Sequence, residues 1–190
     1  MTLEGKTALV TGGTRGIGLA ITHALHEAGA SVLAYSALLG TASVALLAGI
    51  GTILFGRRTG LIAALLLAVS FLHVRDSHYG VSDVPSVALL LLALYFDARL
   101  LRQPALRWYV LAGLAGGLAT STKYNMGFFV APLLAARWPA RRLLESGRYG
   151  GAPSLCRFLA ALGLAGLSSL VGYLIGTPYT VLDEIGRAHV

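Results

Sequence analysis

From Ala37 to Gly56 the chain runs twenty residues without a charge. That is long enough for a helix to cross the hydrocarbon core of a bilayer, where every backbone N–H and C=O must be satisfied within the segment. Further uncharged runs follow at Leu61–Val74, Val84–Phe96, Trp108–Thr122, Tyr124–Ala136 and Phe158–Leu182. Read by run length, they predict an all-α polytopic membrane region of about six hydrophobic helices. Several runs are short for a full crossing and must tilt little or shelter behind their neighbours. Only 12% of residues are charged and the mean hydropathy is +0.73. A soluble domain carries about twice that share of charge.

The basic residues put these runs in order. Arg57 and Arg58 lie in segment 56–60, Arg99, Arg102 and Arg107 in 97–107, and Arg137, Arg141, Arg142, Arg148 and Arg157 in 137–157. These are alternate connections, and they hold ten of the fifteen basic residues. By the positive-inside rule they are cytoplasmic. The polar island His73–Pro85, the turn at Lys123 and the segment Thr177–Glu184 then share the outer face. The pI of about 10 follows from this topology signal and implies no nucleic-acid partner. The lone Cys156 excludes an internal disulfide and reads as a small packed side chain. Glycines four apart at Gly113–Gly117 and Gly172–Gly176 mark close helix contacts.

Residues 1–36 have a different texture. A short apolar strand, Lys6–Val10, leads into the glycine-rich turn Thr11–Gly18, a helix over Leu19–Glu27 and a second strand over Ser31–Ala34. Glycines at such a turn let backbone approach a pyrophosphate, and the helix N-terminus supplies donors and a positive dipole. The expected fold is a partial Rossmann-like β-α-β fragment. The pattern TGGTRGIG resembles the short-chain dehydrogenase/reductase family. That resemblance assigns Gly12, Arg15, Gly16, Ile17 and Gly18 to NAD(P). The family's Tyr-x-x-x-Lys pair is missing. The lysines are Lys6 and Lys123, and Ala119 stands four residues before the second. As a dehydrogenase the chain is incomplete, and a dehydrogenase piece fused to a membrane anchor is the alternative reading.

The larger resemblance begins at about Ser36 and runs to Asp183. The island HVRDSHYGVSDVP, the segment STKYNMGFF and the exit GTPYTVLD resemble glycosyltransferase family 39, the bacterial relatives of protein O-mannosyltransferases. The resemblance implies a GT-C type enzyme in the inner (plasma) membrane of a bacterium. Such an enzyme moves a sugar from a polyprenyl-phosphate donor to an acceptor at the outer face, with a divalent metal ion as an optional cofactor. Its partners are the lipid bilayer and the lipid-linked sugar. Asp83 is the expected catalytic carboxylate. Arg75, Asp76, His78, Lys123 and Tyr124 are the expected substrate-binding residues. Arg75 and Lys123 are phosphate partners, and His78 and Tyr124 are hydrogen-bonding groups.

The family's main catalytic acid lies in its first outer loop, where this chain carries the dehydrogenase-like segment instead. The isolated chain is therefore expected to be an inactive fragment, divided into 1–36, 37–183 and a foreign tail 184–190. A transporter is disfavoured, because the charges collect at one face and not at a midplane site.

Overall fold

A computed structural model describes residues 3–10, 16–33, 35–79, 83–135 and 155–178. It is nearly all helical. Two three-residue strands, β1 (Thr7–Leu9) and β2 (Ser31–Leu33), pair in parallel with Thr7 opposite Ser31, joined through helix α1 (Gly16–Glu27). A doubly wound sheet needs several more strands, with helices over both faces. Among the described residues the sheet stops at two.

The apolar runs become helices α2 (Tyr35–Phe55), α3 (Arg57–Ala68), α4 (Phe71–Tyr79), α5 (Asp83–Arg102) and α6 (Leu106–Thr122). A 3-10 segment at Tyr124–Phe129, α7 (Val130–Ala135) and α8 (Leu155–Gly176) complete them. Gly56, with φ 98°, separates α2 from α3 in a backbone conformation that L side chains rarely adopt. Asp83 in the first turn of α5 and Arg99 and Arg102 in its last turn complement the helix dipole. Pro85 sits within the first turn of α5, where its missing N–H has no intrahelical partner to lose.

Six crossings were expected. Among the described residues three helices are long and apolar enough to cross: Ser36–Phe55, Asp83–Arg102 and Phe158–Gly176. A fourth span exists if the pair α3 and α4, bent by 62°, counts as one. The remaining runs make α6, at 17 residues, and the short segment Tyr124–Ala135. The polar island, expected as a connection between helices, is mostly helical, because α4 continues to Tyr79 and α5 begins at Asp83. The segments 56–60 and 97–107 are likewise largely helix ends. Residues 136–154 and 179–190 lie outside the described residues, and so do the expectations placed on them.

Packing is inside-out compared with a water-soluble core. The buried residues are mainly small, including Ala93, Ala98, Ala112, Ala115, Ala119, Ala161 and Ala165. Large apolar side chains such as Leu38, Phe55, Leu61, Leu66, Phe71, Leu167 and Ile175 are exposed. Water would penalise such a surface, whereas acyl chains accept it and helices in lipid associate through small residues. The seam between α6 and α8 joins the two glycine pairs read from the sequence. A Cβ on Gly113 or Gly117 would collide with the Ala165 or Ser169 carbonyl, and one on Gly172 with the Leu114 carbonyl.

Contacts between the helices give the direction in which each runs along the bundle. Gly49 of α2 faces Tyr95 of α5, and Arg102 reaches the Ile53 carbonyl, so these two run parallel. Helices α3 and α4 return along α2, with Gly60 against Gly51 and His73 against Gly40. Asp83 meets Lys123, and Phe96 meets Trp108 at 5.9 Å, so α6 runs against α5. Tyr109 meets Phe158 at 6.5 Å, so α8 runs parallel to α6. One end thus gathers Arg75, Asp76, Asp83 and Lys123, and the other gathers Arg57, Arg58, Arg99, Arg102 and Arg107.

Candidate functional site

The polar end is built from three helix termini. The last turn of α6 reads Thr120-Ser-Thr122, and each hydroxyl turns back onto a carbonyl of its own helix. Thr120 donates to Gly116 O at 2.8 Å, Ser121 to Leu118 O at 2.7 Å and Thr122 to Ala119 O at 2.6 Å. These carbonyls already accept backbone N–H donors, so the hydroxyls add a second donor to each and satisfy themselves without water. Lys123 then leaves the helix in extended conformation, φ −148°, while its N–H still reaches Ala119 O. That geometry carries its side chain to α5, where Nζ donates to Asp83 Oδ1 in an ion pair. The two side chains are 37% and 48% exposed, so the pair stands at a wet boundary and not in the packed interior. Its worth to stability is accordingly small, of order 0–1 kcal/mol.

Helix α4 docks on α2 through a second set of contacts. His73 Nε2 donates to Gly40 O at 3.1 Å, and Ser77 Oγ donates to His73 O at 2.7 Å. Gly40 is small because Ser77 lies on it, with Ser77 Cβ only 2.9 Å from where a Gly40 Cβ would stand. The docked helix presents Arg75 and Asp76. Arg75 Nε and Nη2 each sit 2.9 Å from Asp76 Oδ1, and the guanidinium lies 5.8 Å from the Phe71 ring centre. Arg75 was expected as a phosphate partner in its own right, and Asp76 already neutralises it.

Of the residues picked out in the sequence, the structure therefore joins Asp83 to Lys123 and Arg75 to Asp76. Tyr124 follows Lys123 and is 91% exposed. His78 lies on α4, and its side chain is outside the described residues. Gly12 and Arg15 are also outside them, while Gly16, Ile17 and Gly18 form the first turn of α1. Among the described residues no three His, Cys, Asp or Glu side chains gather as a metal ion requires.

An apolar groove of about 600 Å³ runs between α2 and α5, lined by Leu39, Ala42, Leu46, Gly49, Ala88, Leu92 and Tyr95 among others. Its near end, at Ala88, lies about 7.5 Å along the helix axis from Asp83. The groove and the ion pair together offer a slot for a hydrocarbon chain beside a cation and a carboxylate.

One buried charge was missed. Asp97 was assigned to a cytoplasmic connection, but it lies inside α5 and is only 4% exposed. Neither carboxylate oxygen has a hydrogen-bond partner among the described residues, and nor does the buried Nε1 of Trp108. The signal available was a single acid directly after an apolar run, and such a residue reads equally well as the end of a span.

A family described as dolichyl-phosphate-mannose-protein mannosyltransferase matches residues 17–164, well over half of the chain. The match starts inside α1, so it takes in more than half of the segment expected to be dehydrogenase-like and starts earlier than the expected Ser36. No curated protein and no solved structure matches.

Proposed function

We propose, since the chain belongs to the dolichyl-phosphate-mannose-protein mannosyltransferase family, that its polar end is a sugar-transfer site. There a sugar passes from a polyprenyl-phosphate carrier to an acceptor hydroxyl at the outer face of a bacterial plasma membrane. The membrane setting and the lipid-linked sugar follow from the family together with the apolar helices. The single observation that supports placing the site is the Asp83–Lys123 pair, which closes beside the apolar groove at the end opposite Arg99, Arg102 and Arg107.

In this reading Asp83 accepts a hydrogen bond from the acceptor hydroxyl. As the new C–O bond forms at the anomeric carbon, the proton passes to the carboxylate. The bond from the anomeric carbon to the phosphate oxygen breaks, and its electron pair leaves with the polyprenyl phosphate. Lys123 acts on the charge that grows there. Its ammonium is already held at the boundary by Asp83, so stabilising the departing phosphate requires little reorganisation. The groove between α2 and α5 takes the first isoprene units. Tyr124, exposed beside Lys123, adds a hydrogen-bonding hydroxyl.

The test is photolabelling of the chain in nanodiscs by a benzophenone-tagged polyprenyl-phosphate mannose. Labelling is expected on α5 and on the Tyr124–Phe129 segment. Lys123→Gln should weaken it at least tenfold, and Lys123→Arg should preserve it. Asp83→Asn should leave donor labelling within about twofold and lower mannose transfer in membranes by roughly a hundredfold or more. Equal labelling of Lys123→Gln and the parent chain would refute the assignment.

A further inference from the structure

The end opposite Asp83 carries a second charged surface. Arg99 and Arg102 occupy the last turn of α5 and Arg107 the first turn of α6, with only Gln103–Ala105 between the helices. All three side chains are exposed. They are also braced. The Arg99 guanidinium lies 5.2 Å from the Trp108 ring centre and 5.8 Å from that of Tyr95, while Arg107 lies 4.7 Å from Trp108. Arg102 donates through Nε to Ile53 O at 2.9 Å, at the C-terminal end of α2. The same aromatic ring thus holds two cations within about one Debye length, roughly 10 Å, of each other. The nearest acid in sequence, Asp97, is buried and turned away from solvent. Arg57 and Arg58, also exposed, begin α3 at this same end.

Among the described residues no ion pair joins Arg99, Arg102 or Arg107 to an acid, and like charges fixed close together are stabilised by an anion that bridges them. Guanidinium groups suit phosphate oxygens, which they engage through paired N–H donors. Exposed apolar side chains surround the corner, among them Phe55, Leu106 and Leu159, so hydrocarbon meets the bundle at the same level. We propose that the Arg99–Arg102–Arg107 corner binds the phosphodiester headgroup of an anionic phospholipid from the leaflet opposite the Asp83–Lys123 site. Arg99 and Arg107 grip the phosphate, Trp108 holds them in place, and the acyl chains lie along the outer surface of the bundle. Basic side chains near a membrane surface each strengthen anionic-lipid binding by about fivefold, so three contribute roughly a hundredfold. The site lies at the other end of the helices from the transfer site and stands whether or not that assignment holds.

The experiment uses the whole chain with Trp138→Phe, so that Trp108 is the sole tryptophan, in nanodiscs titrated with brominated lipid. Brominated phosphatidylglycerol is expected to quench Trp108 at mole fractions where brominated phosphatidylcholine does not. Arg99→Gln/Arg102→Gln/Arg107→Gln should shift the phosphatidylglycerol midpoint roughly a hundredfold, and Arg75→Gln at the far end should leave it unchanged. If the triple variant fails to insert, Arg107→Gln alone should shift the midpoint about fivefold. Equal quenching by the two lipids, or an unshifted midpoint in the variants, overturns the proposal. Full protection of Trp108 by inorganic phosphate at the lipid's own concentration also overturns it, since the site would then be one for free phosphate.

Discussion

Gly117 and Gly166 give the same substitution opposite signs. On a helix surface, replacing glycine by alanine stabilises by about 1 kcal/mol, because the backbone loses less freedom on ordering. Gly166 on α8 has open space around its missing Cβ, so Gly166→Ala should gain about that amount. At Gly117 the new methyl lands on the backbone of Ser169. The carbonyl carbon stands 2.7 Å away, against the 3.4 Å at which ordinary contact begins. The carbonyl oxygen stands closer still, so the α8 backbone would have to retreat by more than the roughly 0.7 Å that the carbon alone requires, and a gap of that size forfeits a quarter to a half of each dispersion contact it opens. Overpacking of this kind costs about 1–3 kcal/mol, which outweighs the propensity gain. Gly117→Ala is therefore expected to fall below the parent and Gly166→Ala to rise above it, the two differing by about 1–3 kcal/mol. The assay is unfolding of the chain in mixed micelles titrated with denaturing detergent. If the two variants shift in the same direction by similar amounts, the close seam between α6 and α8 is wrong.

Three further outcomes are expected. Asp97→Asn should leave the fold equally stable or raise its stability by about 1–3 kcal/mol, because it removes a buried charge with no partner among the described residues; a clear loss in the same micelle titration contradicts that. Reversing one charge of the outer pair, as Asp83→Lys, should abolish mannose transfer in membranes, while adding Lys123→Asp should return the lost stability by no more than about 1 kcal/mol, measured as a double-mutant cycle. Gly40→Ala should loosen α4 from α2, because Ser77 has to move; amide exchange across Phe71–Ser77 should quicken while that of α8 does not change.

The bundle was legible from the sequence wherever length and charge carry the information. The uncharged run at Ala37–Gly56 became α2 almost residue for residue, and the glycine pairs at 113–117 and 172–176 both line the close seam between α6 and α8 that their spacing implied. The number of crossings was not legible. A run such as Leu61–Val74 reads as one helix until Val69 and Ser70 interrupt it, and the 62° bend there depends on how α4 docks against Gly40. The polar island was taken for a connection because it holds charge. Its described residues are helical, because α4 runs on to Tyr79 and α5 begins at Asp83, and charged residues are as compatible with an exposed helix end as with a loop. Asp83 and Lys123 were each picked out, but forty residues separate them, and only the antiparallel packing of α5 and α6 makes them a pair. Asp97 was missed for a related reason. Periodicity sees an acid at the end of an apolar run and cannot tell whether the next helix will cover it.

A transfer site at Asp83 and Lys123 requires the two charged ends to face opposite sides of the membrane. Single cysteines at Tyr124, which is 91% exposed, and at Arg107 test this directly in a Cys156→Ala background, with a membrane-impermeant maleimide applied to intact cells and then to lysed ones. Tyr124→Cys is expected to be labelled in intact cells and Arg107→Cys only after lysis. Labelling of Arg107→Cys in intact cells with Tyr124→Cys protected would place Asp83 and Lys123 in the cytoplasm and contradict the transfer site described here.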